Sequence, residues 1–165
     1  MQVSGEMARS KYWIWHEPTG RDYTQLIEFS AKRSAKCTFV LQRPDQFGES
    51  CRQFLDTLKE HLREIVNQTE WPGTNLMGSA APVHWYRLTP ELIAVLQANV
   101  SSLYDWAVPD LPEDLAFYWP DGSPLLGTSS HERFAFVNLA KKEMDEFKQE
   151  VPGLRLYKTP PPELV

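Results

Sequence analysis

The chain has 165 residues and a mass of 19.1 kDa, room for one ordinary domain and too little for two. Hydrophobic residues make up 42% and charged residues 24%, which excludes a disordered chain, and at this length roughly 70% of the extended surface is buried without a metal or disulfide staple. Seventeen basic against twenty-two acidic residues leave a net charge of −5, so nucleic acid is a poor expectation for a partner.

In chain order, residues 1–11 are polar, lack the apolar stretch of a signal peptide and are expected as a flexible arm. Nowhere does the chain approach the roughly 20 apolar residues of a membrane helix, so a cytoplasmic location and no membrane partner are expected. Tyr12 to Trp15 read as a short aromatic strand, ended by His16-Glu17-Pro18-Thr19-Gly20. Trp13 and Trp15, two apart, share one sheet face. They are core if helices cover both faces, and an aromatic shelf for a partner or a planar ligand if one face is open. A helix follows from Asp22 to Arg33, capped by Thr19 or Asp22, and then a strand from Cys37 to Gln42. Cys51, Phe54, Leu55, Leu58 and Leu62 keep the i, i+3, i+4 rule of a helix over Ser50–Leu62. Cys37 and Cys51 both fall on apolar faces, as inert core thiols do.

Glu64–Glu70 either extends that helix or forms a strand, and Val83–Leu88 alternates like a strand able to pair antiparallel with it. Thr89 as N-cap and Pro90 as first helical residue open a third helix running to Leu103. Leu115–Tyr118 and Leu125–Thr128 flank Asp121-Gly122, a hairpin signal. A last helix is expected over Ser130–Gln149, with Ser129-x-x-Glu132 as its capping box and Pro152-Gly153 as its stop. Pro160-Pro161-Pro162 makes residues 159–165 an extended tail. This order predicts a single α+β domain over residues 12–158: one mixed or largely antiparallel sheet with about four helices packed on it.

The chain has no Gly-rich phosphate loop, Cys-x-x-Cys pair, His-Glu-x-x-His or Gly-x-Ser-x-Gly motif, so neither a cofactor nor a metal is expected. His16-Glu17 and His131-Glu132-Arg133 are the sharper feature. Neighbouring side chains diverge, so neither dipeptide is an acid–base pair by itself. If the two converge at strand–helix junctions, His16, Glu17, His131 and Glu132 become catalytic candidates, with Arg21 and Arg133 as binders of an anionic ligand. Otherwise they are caps and surface ion pairs, as His61 and His84 are surface and sheet residues. From Glu91 to Leu125 there are six acidic residues and no Lys or Arg. Within that stretch Tyr104, Asp105, Trp106, Asp110, Glu113 and Asp114 read either as a solvated loop or as an acidic, aromatic-anchored surface for a basic protein.

The pieces from Trp15 to Tyr23, Glu70-Trp71-Pro72-Gly73-Thr74, Ser102 to Trp106, Leu111 to Gly122 and His131-Glu132-Arg133 together resemble an uncharacterised family of small bacterial proteins. The resemblance covers Tyr12 to Leu139. It implies a bacterial, cytosolic, single-domain protein and brings no activity with it. Two functions are therefore carried forward. One is a non-catalytic protein-binding module for a basic partner, of immunity or inhibitor type; the other is a cofactor-independent hydrolase or transferase built on the two His-Glu sites.

Overall fold

Eight strands form one sheet in the computed structural model, which describes residues 8–164. The elements are β1 (Ser10–Ile14), α1 (Arg21–Lys32), β2 (Lys36–Val40), α2 (Glu49–Thr57), β3 (Leu62–Gln68), β4 (Glu70–Trp71), β5 (Thr74–Asn75), β6 (Ala81–Arg87), α3 (Pro90–Ala98), β7 (Glu113–Tyr118), β8 (Pro124–Ser129), β9 (Phe134–Leu139), α4 (Lys141–Glu150) and β10 (Leu156–Tyr157). The sheet order is β10-β1-β9-β8-β7-β2-β6-β3, every neighbour antiparallel, and β4 and β5 form a separate small hairpin. The fold is α+β.

All four helices lie on one face. Period-2 alternation turns Cys37, Phe39, Leu115, Phe117, Ala135 and Val137 toward them, where they share a core with Leu26, Phe54, Leu92 and Phe147. Phe29 of α1 meets Phe147 of α4 edge to face at 5.0 Å, and Trp106 lies between Phe39 and Phe54, 4.8 and 5.5 Å away. Each such ring contributes roughly 1.5–3 kcal/mol of burial. Both cysteines are buried and unpaired, and burial pushes their thiols above the ordinary range.

Among the described residues no helix covers the opposite face. The apolar cluster there is Val40, Trp71, Ala81 and Val83, with Leu76 and Trp85 at its margin. Trp71 reaches it from the β4–β5 hairpin, which folds back over the sheet. Gly127 of β8 makes this possible. A Cβ there would collide with the Phe136 ring and lie 2.9 Å from Pro72 Cβ.

The largest departure from expectation is over residues 130–149. A helix was expected, but residues 130–133 are the turn of a β8–β9 hairpin, Phe134–Leu139 is a central strand between β8 and β1, and α4 begins only at Lys141. Phe134 and Val137 are three apart, as on one face of a helix, yet Phe134/Phe136 and Ala135/Val137/Leu139 alternate, and pairing on both sides decides for the strand. Ser129 and Glu132 therefore cap no helix. The α4 start is served instead by Glu143, which accepts from Ala140 N–H at 2.7 Å. At α1 the N-cap is Gly20, in a left-handed conformation that no Thr19 or Asp22 side chain caps. α2 stops at Thr57 rather than Leu62, because Leu62 enters β3, and α3 stops at Ala98 rather than Leu103. Thr89 does cap α3, accepting from Leu92 N–H at 3.1 Å.

Residues 1–7 of the expected arm lie outside the described residues. Ser10 and Lys11 belong to β1, and Arg9 is anchored by two 3.0 Å bonds to Glu143. At the other end Trp15 donates its indole N–H to Thr159 O at 2.8 Å, Pro161 is buried and residues 162–164 form a short turn.

Candidate functional site

Antiparallel pairing sends the ends of β1 and β2, the start of β7 and the β8–β9 turn to one end of the sheet, beside the long connection from α3 to β7. There Glu17, just after β1, accepts from Ser102 Oγ on one oxygen and from Arg133 Nη2 on the other. The backbone follows suit: Gly20 N–H bonds Ser101 O at 2.7 Å and Leu103 N–H bonds Pro18 O at 3.0 Å. Arg133 also sits over the Tyr104 ring, 5.2 Å from its centroid. Burial, with Glu17 adding to it, pushes the Tyr104 phenol above its ordinary range. The two His-Glu segments thus meet through Glu17 and Arg133, while His16 and His131 are exposed and Arg21 stands exposed at the start of α1. Glu132 accepts from Ser129 Oγ at 3.4 Å.

Two carboxyl groups are more deeply set. Asp114 is 5% exposed and takes a left-handed backbone, φ 56°, as does Arg133 at 60°. Such a residue persists where its surroundings over-determine it. One Asp114 oxygen accepts from Ser130 N–H at 2.8 Å, the other from the Trp71 indole at 2.9 Å, and its own N–H reaches Ser130 Oγ at 3.3 Å. Burial raises its carboxyl above the usual aspartate range, against the pull of those bonds. Neighbouring Glu113 is 3% exposed, and its Oε1 is buried with no hydrogen-bond partner. Burial and the Asp114 charge push it upward, while Arg43 and His131 pull the other way.

The acidic segment is less of a surface than its composition suggests. Trp106 is fully buried and donates to Tyr23 OH at 2.9 Å, and that hydroxyl in turn bonds Leu96 O at 2.5 Å. Tyr104, Glu113 and Asp114 are buried too, so only Asp105 and Asp110 of the six face solvent. An aromatic anchor satisfied from within the core offers no ring to a partner.

The aromatic surface lies instead on the helix-free face, which the sequence left open between core and shelf. Trp13 and Trp15 are half-buried there. Trp13 packs on Phe134 and Phe136 at 5.5 and 5.8 Å, and Trp15 stacks on Tyr157 at 3.8 Å. Across the sheet half-buried Trp85 meets Tyr118 at 4.7 Å, and Tyr118 OH bonds Thr38 Oγ1 at 3.1 Å, its phenol raised by burial to about 12. Trp85 and Tyr118 line a groove of about 380 Å³ whose other walls are Trp71, Pro72 and Pro124, with Gln68 and Glu70 at its lip. Alternation alone identifies Trp85 as an outward residue, but the groove needs the hairpin, whose fold-back has no local signal.

Among the described residues no cluster of three or more His, Cys, Asp or Glu could hold a metal ion, and no helix is long and apolar enough to cross a membrane. No family model matches the chain, and neither a curated protein nor a solved structure matches it.

Proposed function

We propose that the protein is a non-catalytic protein-binding module, of inhibitor or immunity type, whose helix-free sheet face receives the partner. The observation that carries this reading is the set of half-buried aromatic rings on that face of one antiparallel sheet: Trp13, Trp15 and Tyr157 at its β10–β1 end and Trp85 on β6 toward the other. Trp and Tyr dominate contact energies because they bury large area at small entropic cost, and a sheet fixes their positions. The groove at Trp85 and Tyr118, walled by Pro72 and Pro124, suits an extended partner segment. A net charge of −5, with Glu70 at the groove lip, favours a basic partner and speeds its encounter. The test is affinity capture from lysate of the source organism, comparing wild type with Trp15→Ser and Trp85→Ser. The reading expects a partner held by the wild type whose affinity falls about thirtyfold in each variant, the loss of one hot-spot residue. Equal capture by all three, with folding confirmed by circular dichroism, would remove the aromatic face from function.

A second reading rests on Glu113. A buried carboxyl with an unpartnered oxygen, within electrostatic reach of His131 and Arg43, is the kind of group that transfers protons in a cofactor-independent hydrolase or transferase. Hydrolysis of simple aryl esters or phosphates that disappears in Glu113→Gln and in His131→Ala supports it. Activity unchanged in both variants, or absent from the wild type, rejects it.

A further inference from the structure

On the helix side, far in the sheet order from the Trp85 groove, the chain turns at Pro152-Gly153 between α4 and β10 and leaves a gap beside them. The gap is a cleft of about 480 Å³, within the roughly 300–1,000 Å³ of small-molecule pockets. Tyr12, Met144, Leu154 and Leu156 supply its apolar floor, while exposed Lys148, Arg155 and Lys158 stand at its rim.

The charge here is opposite to that of the chain. Among the described residues no carboxylate lines the cleft, although the net charge is −5. The reason is how α4 sorts its side chains. Glu143 faces Arg9, and Glu146 and Glu150 face Arg33, at 2.7–3.2 Å. Asp145, the fourth acid of α4, is exposed and is not among the residues lining the cleft, whereas Met144 and Lys148 are. Among the described residues Lys148, Arg155 and Lys158 take part in no ion pair, a state most of the chain's basic residues share, and what sets these three apart is their convergence on one apolar cleft. Three unpaired cations around an apolar floor complement one chemistry: an apolar body ending in an anion.

We propose that this cleft binds an amphipathic carboxylate, its chain on the Tyr12–Met144–Leu156 floor and its head among Lys148, Arg155 and Lys158. Charge-assisted hydrogen bonds fix the head, and burial of the chain supplies affinity that a free anion lacks. The site is independent of the partner face, which lies across the sheet. It is tested by isothermal titration of the full chain with decanoate, decanol, decyltrimethylammonium and inorganic phosphate. Saturable binding is expected for decanoate alone or most tightly. The Lys148→Glu, Arg155→Glu double variant should weaken decanoate at least about tenfold, the value of one lost charged bond. Met144→Trp, which fills the floor and leaves the cations, should weaken it as well. The proposal is overturned by no saturable binding of decanoate, by equal binding of decanol or decyltrimethylammonium, or by undiminished decanoate affinity in either variant. Phosphate binding as tightly as decanoate would also overturn it, by making the floor irrelevant.

Discussion

Trp71→Phe isolates the bond that latches the β4–β5 hairpin to the sheet. The phenyl ring keeps most of the apolar contact with Val40, Ala81 and Val83 but deprives Asp114 Oδ2 of its 2.9 Å donor. A buried hydrogen bond to a charged group is worth about 1.5–3 kcal/mol, and the smaller ring adds about 1 kcal/mol for the space it leaves. The two parts separate by pH. The indole bond lowers the Asp114 carboxyl against burial, so without it the folded group titrates higher still. A carboxyl whose folded value lies above its unfolded one contributes stability at low pH that is lost as pH rises through the folded value. The deficit of the variant therefore grows with pH. With a urea slope of about 2 kcal/mol/M, the midpoint should fall by roughly 1.5 M at pH 7 and by about half as much at pH 4, at unchanged slope. An equal fall at the two pH values refutes the ionised bond and leaves only ring packing.

Gly127→Ala should destabilise by about 1–3 kcal/mol in urea, since the new methyl meets the Phe136 ring and Pro72 at once, and a neutral result would show that the hairpin does not rest on β8. Glu113→Gln should match the wild type at pH 4 and equal or exceed it at pH 7. The raised carboxyl costs the wild type stability as pH rises through its folded value, and a pH series of midpoints in which the variant is weaker at pH 7 would contradict this. Arg9→Ala removes a bidentate pair with Glu143 and a stack on Trp119 at 3.8 Å, and should cost about 2 kcal/mol near neutral pH. Burial pushes Glu143 up, but Arg9 and Ala140 N–H hold it below the usual range, so that stability is present above the ordinary carboxylate value and lost as pH falls through the folded one. Acid unfolding curves of the variant should be flatter by that amount.

Local signals were legible where one element could satisfy itself. The stripes of α1 and α2, the Thr89-Pro90 start of α3 and the Asp121-Gly122 turn each follow from spacing or capping within a few residues, whereas Glu64–Glu70, open between helix and strand by its own pattern, is decided by pairing with β6. The Ser129-x-x-Glu132 spacing misled because it imitates a capping box, and β9 exists through partners on both sides rather than through its own propensity. The same holds for the site. The sequence named Glu17 and Arg133 but not their contact, which spans 116 residues. For Trp106 the acidic neighbours admit a surface anchor beside a solvated loop, and only its contact with Tyr23, 83 residues away, puts the ring in the core. The cleft beside α4 has no local signal, because its cations are spread over α4 and the chain after it, and only the fold turns Glu143, Glu146 and Glu150 away toward Arg9 and Arg33.

The claim that the helix-free face is the partner surface is tested most directly by photocrosslinking in cells. A photoreactive phenylalanine analogue is placed at Trp85 or Trp15 on that face, or at Lys148 on the other. Positions 85 and 15 should trap the same protein, and position 148 should not. A partner trapped from position 148 and from neither aromatic position would contradict it.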